Sequence, residues 1–341
     1  MTDGLLIAAE QFWANGWRGP TLFRASEGQL TVVRSTRPVV PDITIPGTVF
    51  AHLTDHHVHL GLVDRSALLS GGLTDVTDLG WRPEDAADWL RDAAGTLPAL
   101  RIAGGFLTCV GGYPSRSAWA PRGAAIELAS PADAAGAVAA QAALGASVIK
   151  VTLNSTAGPV PSDELLAAIV AASRAHSLPV VAHTEGIGQA ERALVASVTA
   201  LAHTPFSERL ADDVLGRMAS AGLSWISTLD IHGWGTPTAA LAIACDNLRR
   251  FIAHGGTVLY GTDLGNGPLP LGVNERELAA LTVAGLDGDA LVRSIAGSDE
   301  SASFGPRFAW VPGLPPHPSD IAPWLATARG CTINTVRETL K

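Results

Sequence analysis

The sequence predicts an α/β chain built mainly as a (β/α)8 TIM barrel, with a small accessory β-sheet formed by the two chain ends. Three observations lead there. From residue 48 onward, eight strand candidates alternate with helical stretches. Most of those strands are apolar along their length, as strands are when both faces of a parallel sheet are covered. Neither GxGxxG nor GxxxxGK[ST] occurs, and one of these phosphate loops would be needed to favour an open doubly wound sheet.

Before the barrel, residues 5–9, 21–25 and 30–34 are short strand-like pieces separated by Gly and polar turns. Pro38, Pro41 and Pro46 punctuate the approach to the next element. This is too little for an independent domain and suits part of a small sheet completed by the C-terminal tail. The expected division is an accessory β domain of residues 1–47 and 306–341 and a catalytic barrel of residues 48–305. The barrel strand candidates are residues 50–57, 74–79, 100–107, 147–153, 179–183, 200–203, 223–229 and 257–262.

The helix candidates are residues 83–94, 133–144, 162–175, 188–197, 208–221, 237–253, 274–284 and 289–296. The first has Pro83 in its opening turn and an acidic start. Ser162 is placed to cap the third. Gly145, Gly222 and Gly255 follow helices, where glycine is a common stop signal. The tail carries Phe308-Ala309-Trp310-Val311-Pro312-Gly313 and a strand-like run at residues 331–336.

Composition narrows the function. The chain has 341 residues, 47% of them hydrophobic and only 16% charged, which suits one large core. A net charge of -9 without a Lys/Arg-rich block argues against nucleic acid and anionic membranes as partners and leaves a small molecule. Cys109, Cys245 and Cys331 are odd in number and far apart, so a reducing compartment is the simpler expectation. Met1-Thr2-Asp3-Gly4 lacks a basic leader, and the apolar runs are too broken for a membrane span. A cytoplasmic location is expected, and a homo-oligomer is left open.

The chemistry centres on Leu53-Thr54-Asp55-His56-His57-Val58-His59-Leu60. On a strand, side chains alternate faces, so His57 and His59 point the same way and Val58 packs. Two imidazoles on one face form a ready pair of metal ligands. A His-x-His pair alone carries little, but Lys150, His183, His203 and Asp263 each sit at or near the end of a short apolar run. In a barrel, catalytic residues come from the C-terminal ends of several strands. His57 and His59 would end the first strand, Lys150 the fourth, His183 the fifth, His203 the sixth and Asp263 the eighth, all meeting at one mouth. Asp55 shares the His57 face by parity and either orients a ligand histidine or caps the following loop. His56 faces the other way and reads as structural. His176 and His254 lie near helix C-termini, where a partly cationic ring is favourable without function.

With these residues in place, the chain resembles the metal-dependent amidohydrolase superfamily. The resemblance rests on Asp55-His56-His57-Val58-His59, Val148-Ile149-Lys150-Val151, Val181-Ala182-His183-Thr184, Ala202-His203-Thr204 and Gly261-Thr262-Asp263, and runs over roughly residues 47–300. It is closest to the branch with imidazolonepropionase-like proteins and Xaa-Pro or Xaa-Arg dipeptidases. Gly72-Leu73-Thr74-Asp75-Val76-Thr77-Asp78-Leu79-Gly80 and Phe106-Leu107-Thr108-Cys109-Val110-Gly111-Gly112 support that branch.

The resemblance implies two divalent metal ions, commonly zinc. His57 and His59 would bind the more buried ion and His183 and His203 the more exposed one. Lys150, N6-carboxylated by carbon dioxide, would bridge both. A plain ammonium there would repel two cations, while a carbamate is anionic with two oxygens; the alternative is a neutral or salt-bridged amine beside one metal. Asp263 would bind the first ion and act as general base, or serve as a ligand alone. The implied reaction is hydrolysis of a C–N amide or cyclic amide bond in a small molecule by a metal-activated hydroxide. Dipeptidase, lactonase and deaminase chemistry are neighbouring outcomes, and a non-catalytic small-ligand-binding barrel is the alternative of a different class.

Substrate should be read by the loops after the strands. The third-strand loop runs Gly111-Gly112-Tyr113-Pro114-Ser115-Arg116-Ser117-Ala118-Trp119. Tyr113 stands where the resembling branch often has His, a departure that weakens a dipeptidase assignment. Tyr113 is a candidate to hydrogen-bond an oxyanion or pack on a ring, Trp119 a candidate wall, and Arg116 or Arg122 a candidate partner for a substrate carboxylate. His232 and Trp234, in the loop after the seventh strand, are candidates to line the mouth, His232 with a catalytic role. These aromatic loops favour a compact, partly apolar or cyclic substrate. The tail departs from the superfamily's usual pattern, so a reduced accessory sheet is expected.

Overall fold

The computed structural model describes residues 4–35, 38–91, 97–298 and 303–338. The barrel strands are, in chain order, Thr54–Val58, Asp75–Asp78, the split pair Ala99–Ile102 and Phe106–Cys109, Ile149–Asn154, Val180–Glu185, Ala200–Leu201, Ser224–Ile226 and Val258–Leu259. All pair in parallel, and Ala125–Leu128 adds beside Phe106–Cys109. The split in the third strand falls at Gly104-Gly105. Gly104 has φ 74°, and a Cβ there would lie 1.9 Å from Gln141 Oε1, the acceptor of the Gly105 N–H. Only a residue without a side chain lets the buried amide approach so closely.

The first strand meets the eighth through hydrogen bonds from His56 N to Tyr260 O (3.0 Å) and from His59 N to Leu264 O (2.8 Å). Asp55 reinforces this seam. Its carboxylate accepts from His57 N at 3.0 Å, Thr262 N at 3.1 Å and Thr262 Oγ1 at 2.6 Å. It therefore fixes the backbone on both sides of the closure, a role that differs from both of its sequence readings.

Helix starts and stops follow the local chemistry. Ser162 Oγ accepts from Leu165 N at the head of Asp163–Ala175, and Thr238 Oγ1 accepts from Leu241 N at the head of Ala239–Ala253. His176 and His254 sit at the C-caps of these two helices, as their positions suggested. The Ala239–Ala253 helix packs through Phe251, which stacks on Trp225 of the seventh strand at 4.0 Å and 8°. Both are fully buried. Trp225→Ala is expected to cost about 3–5 kcal/mol of stability, measured by equilibrium denaturation; a cost below about 1 kcal/mol would mean this layer repacks freely.

The accessory sheet is larger than expected. It has seven strands in the order Ser303–Phe304, Gln29–Val32, Thr21–Ser26, Leu5–Trp13, Ile43–Phe50, Arg307–Val311 and Arg329–Thr332. The addition comes from Ile43–Phe50, which pairs in parallel with Leu5–Trp13. Pro46 and Gly47 give that segment the look of a loop, but they sit where the register shifts between Ala9 and Gln11, a bulge that tolerates them. Residues 50–57 are consequently two strands rather than one, parted at Ala51-His52-Leu53. The run at 331–336 is likewise corrected: Arg329–Thr332 is the strand, and Thr332 Oγ1 accepts from Thr335 N to start the helix Ile333–Glu338. Of the helix expected at residues 83–94, Pro83–Arg91 is present and the rest lies outside the described residues. No helix of the described residues is long and apolar enough to cross a membrane.

Glu277, in the helix Glu275–Val283, is fully buried and accepts from Asp230 N at 2.7 Å. Burial pushes its carboxyl up to about 7. An unfolded glutamate titrates near 4.3, so between about 4.3 and 7 the folded chain holds more protons than the unfolded one. Its contribution is present below that window and is lost as pH rises through it. Glu277→Gln should flatten part of the fall in Tm between pH 4 and 8, with Asp55, also pushed up to about 7 by burial, retaining the remainder. An unchanged pH profile would reject the assignment.

Candidate metal centre

The six candidate ligands meet at one cavity at the C-terminal mouth of the barrel. His57 lies in the first strand and His59 one residue beyond it, with Val58 buried between them and their rings 5.2 Å apart. His183 lies in Val180–Glu185. His203 follows Ala200–Leu201, and Asp263 follows Val258–Leu259. Lys150 departs from its expected place: Ile149–Asn154 continues four residues past it. Its long side chain reaches from within the barrel to 3.4 Å from His57 Nε2. All six line a cavity of roughly 240 Å³.

The orientation of each imidazole is set by what its outer nitrogen touches. His57 Nδ1 donates to Ala202 O at 2.8 Å and His59 Nδ1 to Gly80 O at 3.0 Å. A carbonyl only accepts, so each Nδ1 carries a proton and each Nε2 faces inward. They face Asp263 Oδ1, each at 3.1 Å. That oxygen is buried and has no donor. His203 Nδ1 contacts Thr228 Oγ1 at 2.8 Å, and His183 Nε2 lies 3.4 Å from Glu185 Oε2. His183 Nε2 also has Asn154 Nδ2 at 3.3 Å, and His183 Nδ1 and His203 Nε2 face each other at 2.9 Å, close enough to share one proton or one cation. Bare acceptors at such distances repel unless a cation or proton lies between them. The donor set of His57, His59 and Asp263, with ligand atoms within 4.8 Å of one another, and the His183–His203 pair beside it therefore fit divalent metal binding.

The charge states agree. Burial first, and Lys150 second, hold His57 well below the usual histidine range; burial does the same to His203 and lowers His183. Neutral imidazole is the ligating form. Burial works to raise Asp263, yet it is held well below the usual carboxylate range and faces these rings as a carboxylate. Burial draws Lys150 down to about 7 against Asp263 and Asp78.

Several supporting residues were not picked out in the sequence. Asn266 Nδ2 donates to Asp263 Oδ2 at 2.9 Å, leaving Oδ1 for the histidines. Asp78 accepts from Leu60 N and Gly80 N, bracing the turn that carries the His59 partner. Glu185 accepts from Asn154 Nδ2 at 2.8 Å and Thr156 Oγ1 at 2.7 Å, and so is held against His183. Asp263 and Thr228 both have left-handed backbone, φ 56° and 45°. Such strain in non-glycine residues concentrates at functional sites.

Of the candidate substrate residues, Tyr113, Trp119 and His232 line the cavity. The Tyr113 ring stacks on His183 at 5.1 Å, and burial raises its phenol further above neutral pH. His232 packs on Phe206 at 4.3 Å, is drawn down to about 4 by burial, and has a buried Nε2 with no partner. Arg116 and Trp234 do not join them. Arg116 is exposed beside Gly111. Trp234, at φ 48°, is turned over Gly267 and donates to Asn266 O at 3.2 Å.

No family model matches the sequence, and no curated protein matches it. Solved structures do match the fold. A Xaa-Pro dipeptidase with bound methionine in its active site superposes with a TM-score of 0.76 at 19% identity, covering 95% of this chain and 97% of its own. Ochratoxinase from A. niger gives 0.75 at 17%, covering 96% and 93%. Phenylurea hydrolase B gives 0.74 at 16%, covering 94% of both chains. The likeness is one of fold, at 16–19% identity.

Proposed function

We propose that this protein is a metal-dependent hydrolase that cleaves a C–N amide or cyclic amide bond in a small molecule. The observation that carries the reading is the convergence of His57 Nε2 and His59 Nε2 on Asp263 Oδ1 at 3.1 Å, beside His183 Nδ1 facing His203 Nε2 at 2.9 Å. His57, His59 and Asp263 would hold one ion, His183 and His203 a second, with carboxylated Lys150 between them. With burial holding Lys150 at about 7, a large fraction is the free amine at neutral pH, the form that adds to carbon dioxide and releases a proton. Two divalent ions, zinc in this reading, would supply Lewis acidity toward the scissile carbonyl and an activated water.

The protein's own groups do the rest. Water oxygen forms a bond to the carbonyl carbon, the C–N bond breaks, and the water proton passes through Asp263 to the leaving nitrogen. Asp263 would be the proton acceptor, its carboxylate fixed by the bond that Oδ2 accepts from Asn266. The Tyr113 phenol stays protonated and is placed to donate to the carbonyl oxygen as charge develops there. His232 offers a neutral ring nitrogen to the substrate. Phe106, Trp119 and Phe206 line the same cavity and limit water.

The likeness to a Xaa-Pro dipeptidase keeps dipeptide cleavage as the second reading. The cysteines, all unpaired, support a reducing compartment, and a cytoplasmic location belongs to the proposal. The test is elemental analysis with an amide and cyclic-amide screen on one preparation, before chelation, after it and after reloading. Loss of turnover on chelation with the fold intact, and its return on reloading, supports the reading. A folded protein that takes up no divalent ion sinks it.

A further inference from the structure

We infer that the cavity accepts an uncharged, ring-bearing amide and selects against substrates carrying a free carboxylate; this rests on the hydrolase reading above and narrows its substrate class. One wall is aromatic. Trp119 meets Phe106 edge-on at 5.7 Å and lies 6.1 Å from Tyr113. Another part of the lining is Phe206, Ile231 and His232, with the Phe206 and His232 rings 4.3 Å apart. Flat, apolar surfaces of this kind contact rings well and offer a charged group nothing.

The charges point the same way. Among the described residues, Lys150 is the only Lys or Arg that lines the cavity, and it sits beside His57 with the candidate metal ligands. The nearby arginines are placed elsewhere. Arg276 is tied to Asp230 at 2.8 Å, and Arg116 and Arg122 are exposed on the loop. The charged group on the wall outside the ligand set is Glu185, a carboxylate held by neutral Asn154 and Thr156. A substrate carboxylate turned toward these walls would meet like charge and uncharged rings, without the planar fork that arginine supplies for such groups. What the wall does offer is His232 Nε2, buried and without a partner, which suits one hydrogen bond to an uncharged polar atom. The volume of roughly 240 Å³ is below the ~300 Å³ at which drug-sized pockets begin. It suits one ring and a short acyl group.

The test uses a matched pair on the metal-supplemented protein, N-acetylpyrrolidine and N-acetyl-L-proline. Both carry the same type of scissile tertiary amide, and the second adds only the carboxylate. The neutral compound is expected to show at least a tenfold higher kcat/KM. Equal or faster hydrolysis of the acid overturns the inference and leaves the hydrolase reading standing. If neither is hydrolysed, calorimetric binding of the same pair decides. At least tenfold tighter binding of the neutral compound upholds the inference while the absent turnover counts against the hydrolase reading. Equal or tighter binding of the acid, or binding of neither at millimolar concentration, overturns it.

Discussion

Asp263→Asn is expected to lower kcat by about 10²–10⁴-fold, the range that a positioned general base contributes, while leaving the fold in place. The local chemistry explains why both halves hold together. Asparagine keeps the volume and tolerates the left-handed backbone that Asp263 adopts at φ 56°. Its carboxamide oxygen can take over the bond from Asn266 Nδ2, turning its amide toward His57 and His59. The amide then supplies a donor where Oδ1 has none, so the variant should melt at or above the wild-type temperature. It has no basic oxygen to receive the proton of water. An amide is also a poorer metal ligand than a carboxylate, so metal content must be measured on the same sample. A variant with full metal and near-normal turnover would reduce Asp263 to a ligand.

How much of this was visible in the sequence depended on whether a residue's position is set by an element or by a loop. The barrel was legible because alternation of strand and helix is a chain-long pattern. His57 and His59 were legible from strand parity, and His183, His203 and Asp263 from recurrence at strand ends. Glu185 was readable by the parity argument used for His57 and His59, since it stands two residues past His183 on the same strand and face. Thr228 and Asn266 were not. Their contacts depend on left-handed turns at Thr228 and Asp263, which no local pattern announces. Arg116 and Trp234 show the converse: a suggestive residue in a mouth loop goes where the loop's backbone turns it. The accessory sheet was underestimated because Pro46 and Gly47 conceal a strand whose pairing with Leu5–Trp13 is fixed only in three dimensions.

Lys150→Ala should lower bound metal from two ions per chain to one or fewer and abolish measurable turnover. The expectation follows from where Lys150 sits. It is buried, rises from within the fourth strand, and ends 3.4 Å from His57 Nε2 in the cavity that the other five candidate ligands line. As an ammonium it would add positive charge where cations are to bind, and burial opposes that state by drawing its pKa to about 7. Carboxylation would reverse the sign and add two oxygens, so in the proposed bridging role deletion would remove a ligand to both ions. The loss in affinity should exceed the ~10–100-fold that losing an outer partner of a ligand costs. Lys150→Met is the control for packing: it restores most of the volume without a charge, and should recover melting temperature but neither metal nor turnover. Added acetate or propionate should partly restore the second ion to the alanine variant, because a small carboxylate fits the space vacated and carries the missing oxygens. Two ions per chain in Lys150→Ala without any added carboxylate would contradict the bridging role. The centre would then rest on the four histidines and Asp263, with the lysine a buried amine that lowers the pKa values of its neighbours.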